Sequence, residues 1–146
     1  MPEMKTNPAA RTGLSLLAAL LVLALAGAAW AGDNQQAQAQ AQRWLGLLGQ
    51  GEYGAAYDLA APILQKAATP QKWQKLMSEL AAKTGPAQGR KLLRGQAVTD
   101  LPGAPKGEYY LLLYSPGFAK MPQALEQVAL IKGADGKWRV AGYYLR

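Results

Sequence analysis

The chain of 146 residues contains no cysteine and no histidine. Without cysteine, a small domain has no disulfides to brace it and must hold together by packing alone. Attachment as a bacterial lipoprotein is excluded too, because that anchor needs a cysteine at the cleavage site. Without histidine, the usual metal ligand and the usual general base at neutral pH are missing. Catalytic zinc centres, Ser-His-Asp triads and Cys-His dyads are thereby all but ruled out. Acidic residues are also scarce, 9 against 16 Lys and Arg, which leaves a net charge of +7. The basic residues are scattered, and the tightest group, Arg90 and Lys91 with Arg94, is small. No nucleic-acid motif accompanies it. The excess charge reads first as solubility, and second as a preference for anionic partners.

Half the residues are hydrophobic, enough for a globular core. Their most concentrated run lies near the start. Met1 to Thr12 carries Lys5 and Arg11 against Glu3. Leu14 to Ala28 (LSLLAALLVLALAGA) is almost wholly apolar, and Ala29-Trp30-Ala31 follows with small residues where signal peptidase reads. This is the pattern of a Sec-type signal peptide over residues 1–31, with cleavage expected after Ala31. The alternative is an uncleaved anchor, since the 18 residues from Leu14 to Ala31 just suffice to span a bilayer. Lys5 and Arg11 would keep its start cytoplasmic. Either way the rest, residues 32–146, is expected in the periplasm or outside the cell. Membrane contact is expected only through an uncleaved leader. Removing Lys5, Arg11 and Glu3 lowers the charge from +7 to +6, and the remaining length suits one domain.

In this remainder the hydrophobic period changes once. Ala37, Ala41, Trp44, Leu45 and Leu48 mark one stripe of a helix from about Asn34 to Leu48, with Asp33 or Asn34 to cap it and Gly49 and Gly51 to end it. A second helix is expected from about Glu52 to Ala61, its inner face Tyr53, Ala56, Tyr57 and Ala60. Pro62 interrupts it or restarts a short turn. Thr69-Pro70 opens a third, with Trp73, Leu76, Met77, Leu80 and Ala81 on its inner stripe and Gly85-Pro86 at its stop. The helices thus occupy about 34–84. From about residue 90 the period is 2. Strands are expected over Leu92 to Thr99, Glu108 to Tyr114, Leu125 to Lys132 and Trp138 to Leu145, with Asp135-Gly136 as a hairpin turn. Helices followed by a four-stranded antiparallel meander predict an α+β fold with the helices on one face of the sheet. Trp44, Gly51, Tyr53, Ala56 and Ala60 also suggest one tetratricopeptide repeat, but one copy followed by strands cannot form a solenoid.

Several of these residues together resemble a bacterial family, domain of unknown function 4019. They are Trp44-Leu45, Gly51 with Tyr53, and Trp73. Arg90, Leu101-Pro102-Gly103 with Pro105, and Gly107-Glu108-Tyr109 follow. Glu126-Gln127-Val128, Asp135-Gly136 and the run Trp138-Arg139-Val140-Ala141-Gly142-Tyr143 complete the set. The chain departs at Tyr57, where the family pattern has tryptophan. It departs again over Lys83 to Gly89, where the pattern has an arginine followed by Leu-Gly. The resemblance implies an envelope location and a cystatin-like or nuclear-transport-factor-2-like architecture. It implies no activity and carries over no catalytic residue.

Strand alternation places Tyr110, Leu112 and Tyr114 on one face of the second strand, and Glu126 with Val128 and Leu130 on the third. On the fourth it sets Trp138, Val140, Gly142 and Tyr144 against Arg139, Ala141, Tyr143 and Leu145. A carboxylate among aliphatic neighbours must be solvated, paired or neutralised. Glu126 therefore reads as a ligand-binding or acid/base group assisted by Tyr110 or Tyr114, as a cross-strand ion pair with Arg90 or Arg94, or as part of a plain solvent face. Phe118 and Met121 sit in a Pro/Gly-bounded loop. That loop is expected to be exposed as a partner anchor or pocket lid, or else to fold back on the core. The tryptophans read as core. No cofactor, metal or catalytic residue is assigned. The leading expectation is a non-catalytic exported domain binding a protein or a small amphipathic ligand. An isomerase- or hydrolase-like enzyme and a structural envelope protein are the alternatives.

Overall fold

The computed structural model describes residues 32–146. The expected cleavage after Ala31, and the apolar segment Leu14 to Ala31 in either of its readings, lie outside the described residues. Among the described residues no helix is long and apolar enough to cross a membrane.

Among the described residues four helices come first and four strands follow. Helix α1 covers residues 32–49. Gly32 is already helical, so neither Asp33 nor Asn34 caps this helix. It ends in a turn at Gln50-Gly51, where Gly51 takes a φ of 76°, a conformation that costs glycine little. Helix α2 spans Tyr53–Leu59 and α3 spans Pro62–Ala67, with Pro62 at the first helical position. Proline there gives up no intrahelical bond, so it starts a new helix of six residues rather than a bare turn. Helix α4 spans Pro70–Thr84. Thr69 Oγ1 accepts from the Lys72 amide, and Gly85 closes the far end at φ 68°.

The sheet is a plain meander of β1 (Lys91–Thr99), β2 (Glu108–Ser115), β3 (Glu126–Lys132) and β4 (Trp138–Leu145), every pair antiparallel. Its inner face carries Tyr110, Leu112, Tyr114, Val128, Leu130, Trp138 and Val140. These pack against Ala37, Ala41, Trp44 and Leu45 of α1, Ala56 and Tyr57 of α2, Leu64 of α3, and Trp73 and Met77 of α4. The expected α+β architecture, helices on one face of a four-stranded antiparallel sheet, is the one found. Leu76 is the exception on α4: it is 54% exposed. At about 100° per residue it lies roughly 70° from the middle of the arc formed by Trp73, Met77, Leu80 and Thr84, outside the packed part of the helix.

Two irregularities shape the sheet. In β1 the register shifts between Leu92 and Arg94. In β4, Gly142 pairs with Ala129 while Val140 pairs with Leu130, so Ala141 is the extra residue of a bulge. A bulge resets the alternation beyond it. The expected grouping of Tyr143 opposite Val140 is therefore overturned. Tyr143 turns inward and packs on Trp44 with ring centroids 5.4 Å apart, and Tyr144 turns outward to 59% exposure. The free edge of β4 is sealed by Ala61, whose amide donates to Val140 O at 2.8 Å.

Candidate functional site

The site is assembled around one carboxylate. Glu126 opens β3 on the inner face and is 0% exposed. Its register partners are Tyr114 on β2 and Leu145 on β4. Arg90, one residue before β1, reaches across to it. Arg90 Nε donates to Oε2 at 2.5 Å and Nη2 donates to Oε1 at 3.1 Å. This two-point grip fits the planar guanidinium fork to the carboxylate. The bulge supplies a third donor: the Tyr143 hydroxyl gives its proton to Oε1 at 2.7 Å. A buried carboxylate is tolerable only with such partners.

Of the two cation partners expected for Glu126, Arg90 is the one found. Arg94 stands beyond the β1 irregularity and donates to Gln96 Oε1. Tyr114 lies beside the cluster, but its buried hydroxyl has no hydrogen-bond partner. Burial first, then the negative charge of Glu126, pushes the Tyr114 phenol up to about 12. The same two causes, with the hydrogen bond to Glu126, hold the Tyr143 phenol still further above its ordinary range. Tyr110 pairs with Leu130 and sets its ring edge-on to Trp138, so it takes no part in the cluster.

Arg90 and Tyr143 also line a cleft of about 300 Å³. Leu48 and Gly49 at the end of α1 and Tyr53 form one side. Met77, Leu80, Ala81 and Thr84 of α4 form another, and residues 85–87 with Phe118 complete it. Phe118 is not the exposed residue that its loop suggests. It is 6% exposed and forms an isolated antiparallel bridge with Ala87, so the loop folds back and Phe118 becomes a wall of the cleft. Met121 is half-buried in the turn that follows, its amide donating to Phe118 O, and it does not line the cleft. Glu126 stands behind Arg90 and Tyr143, outside the lining. Among the described residues no group of three or more His, Cys, Asp or Glu is placed to hold a metal ion.

Residues 40–143 match the family described as Protein of unknown function (DUF4019). The chain belongs to this family. The matched span takes in every residue of the cluster and of the cleft, with Tyr143 as its final position. A solved structure from Catenulispora acidiphila is similar in fold to this DUF4019 chain. It is 20% identical, with a TM-score of 0.50, over 84% of this chain and 94% of that one. No curated protein matches the chain.

Tyr143 is the site residue that strand alternation misplaces. The available signal is Gly142, since a glycine inside a strand pattern often marks a bulge. The two phenols should respond oppositely to loss of their hydroxyls. Tyr143→Phe removes a hydrogen bond to a charged group and should cost about 1.5–3 kcal/mol. Tyr114→Phe removes an unpaired buried hydroxyl and should be neutral or slightly stabilising. Urea midpoints of the two variants check this.

The same pair sets an alkaline limit. Both phenols keep their protons in the fold beyond the ordinary value of 10.0. Above about pH 10 the unfolded chain releases those protons first, so stability falls as pH rises, by up to about 1.4 kcal/mol per pH unit for each phenol. Below that range they contribute no pH dependence. Urea midpoints at pH 8, 10.5 and 11.5 should show a shallower decline in Tyr143→Phe than in the parent protein.

Proposed function

We propose that this protein is an exported, non-catalytic domain that binds a small amphipathic molecule in the cleft between α4, the end of α1 and the start of β1. One observation carries the reading. Apolar walls from Leu48, Met77, Leu80 and Phe118 converge on the polar groups of Arg90 and Tyr143, and both of these are fixed from behind by Glu126. Concave, mostly apolar surfaces with a few fixed polar groups are where small ligands bind. Export rests on the charged start, apolar run and Ala-Trp-Ala ending of residues 1–31.

The acid/base alternative requires a carboxylate oxygen open to substrate. Both Glu126 oxygens are already engaged by Arg90 and Tyr143, and Glu126 does not line the cleft. This weighs against the enzyme reading. The burial of Phe118 weighs against its loop as a protein anchor.

Native mass spectrometry of the protein taken gently from a periplasmic extract tests the proposal. The expected result is a mass beginning at Gly32 with a small adduct that is lost on denaturation. Ala87→Trp, which sets a bulky side chain on the cleft lining beside Phe118 and leaves Glu126, outside the lining, in place, should abolish the adduct. A bare mass from both proteins, or recovery only from the cytoplasm, would count against it.

A further inference from the structure

We propose that the cleft selects an uncharged head group: an apolar chain ending in a carbonyl-type acceptor, such as an amide or ester, in preference to a carboxylate. The inference rests on the cleft reading above and adds the chemistry of the ligand's polar end. A guanidinium has five N–H donors. Two of them, on Nε and Nη2, are committed to Glu126. The Arg90 side chain keeps 22% exposure and lines the cleft, so its remaining donors are the polar feature a ligand would meet. They ask for an acceptor.

They do not ask for a charge. Glu126 already cancels Arg90 one for one, at contact distance and fully buried. Among the described residues lining the cleft, Arg90 is the one cation. Lys120, close to Gly85 near the rim, does not line it and directs its ammonium to Ala82 O. Tyr143 has spent its hydroxyl proton on Glu126. A ligand carboxylate would therefore be a second anion on one guanidinium, beside apolar walls that screen poorly. Its desolvation would go uncompensated. A neutral carbonyl satisfies the same N–H groups and brings no charge with it.

The test compares octanamide with octanoate on the intact mature protein at pH 8, by calorimetry and by tryptophan fluorescence. Octanamide should bind at least ten-fold more tightly. Octanoate affinity should rise as the pH is lowered through the acid's own titration, while octanamide affinity stays flat. That wild-type series needs no variant. Glu126→Gln uncovers the Arg90 charge and should reverse the preference toward octanoate. Octanoate binding as well as or better than octanamide at pH 8 would overturn the inference and leave the cleft reading standing. Neither probe binding the parent protein would overturn both. Binding unaffected by Ala87→Trp would place the ligand elsewhere and overturn both as well.

Discussion

Arg90→Ala should destabilise the domain by about 3–5 kcal/mol, because it leaves a fully buried carboxylate without its counter-charge. The asymmetry of the pair makes the prediction specific. Glu126 is 0% exposed, whereas its partner's side chain keeps some access to water. Stripping Glu126 of its cation strands a charge in the core. Removing the negative charge by Glu126→Gln leaves an arginine that can draw on solvent and still donate to an amide oxygen, at a cost of about 1–3 kcal/mol. Arg90→Lys should fall between the parent protein and Arg90→Ala, since it restores the charge without the two-point geometry. Urea midpoints of the three variants give the order. Equal losses in Arg90→Ala and Glu126→Gln would mean that the buried charge does not dominate. A total stability of the usual 5–15 kcal/mol leaves room for Arg90→Ala to fold, and Arg90→Lys keeps the comparison available if it does not.

Trp44→Ala should cost a similar amount, about 3–5 kcal/mol, through cavity formation in the core. Trp44 is the residue on which the helices and the site meet. Its ring packs on Trp73 of α4 at 5.8 Å and on Tyr143 of β4 at 5.4 Å between centroids. It also completes α2. The last turn of that helix tightens so that the Ala60 amide reaches Tyr57 O, and Trp44 Nε1 donates to Ala56 O at 2.8 Å. Trp44→Phe should therefore lose less than Trp44→Ala while still leaving that carbonyl unpaired. Both should weaken ligand capture, because Tyr143 loses the surface that fixes its ring. Thermal unfolding with and without octanamide separates the two effects.

Much of this architecture is legible in the sequence because it is local. Thr69-Pro70 and Gly85 set the ends of α4 by capping chemistry. The fourth strand runs from Trp138 to Leu145 as its alternation and the Asp135-Gly136 turn indicate. The faces of β2 and β3 follow from period two alone, and with them the grouping of Glu126 with Val128 and Leu130. That this face is the buried one, and that Glu126 needs a partner there, is decided by the packing of the helices. The residues that escape are those decided at long range. Tyr143 is turned inward by a single extra residue in β4, which pairing with β3 reveals and alternation does not. Phe118 is drawn inward by a bridge to Ala87, a partner some thirty positions earlier in the chain. Leu76 fits a helical stripe by spacing and is left exposed because the packed arc of α4 is narrower than the stripe.

The strand order β1-β2-β3-β4 has a consequence for how the molecule comes to exist. Every strand pairs with its immediate neighbour in sequence, across the short connections 100–107, 116–125 and 133–137. Each closure therefore forfeits little chain entropy, and mostly local pairing belongs to rapid folding. With no cysteine in the chain, no oxidation step can hold assembly back. An unfolded chain of this design needs neither an oxidant nor a strand distant in sequence to rebuild its sheet.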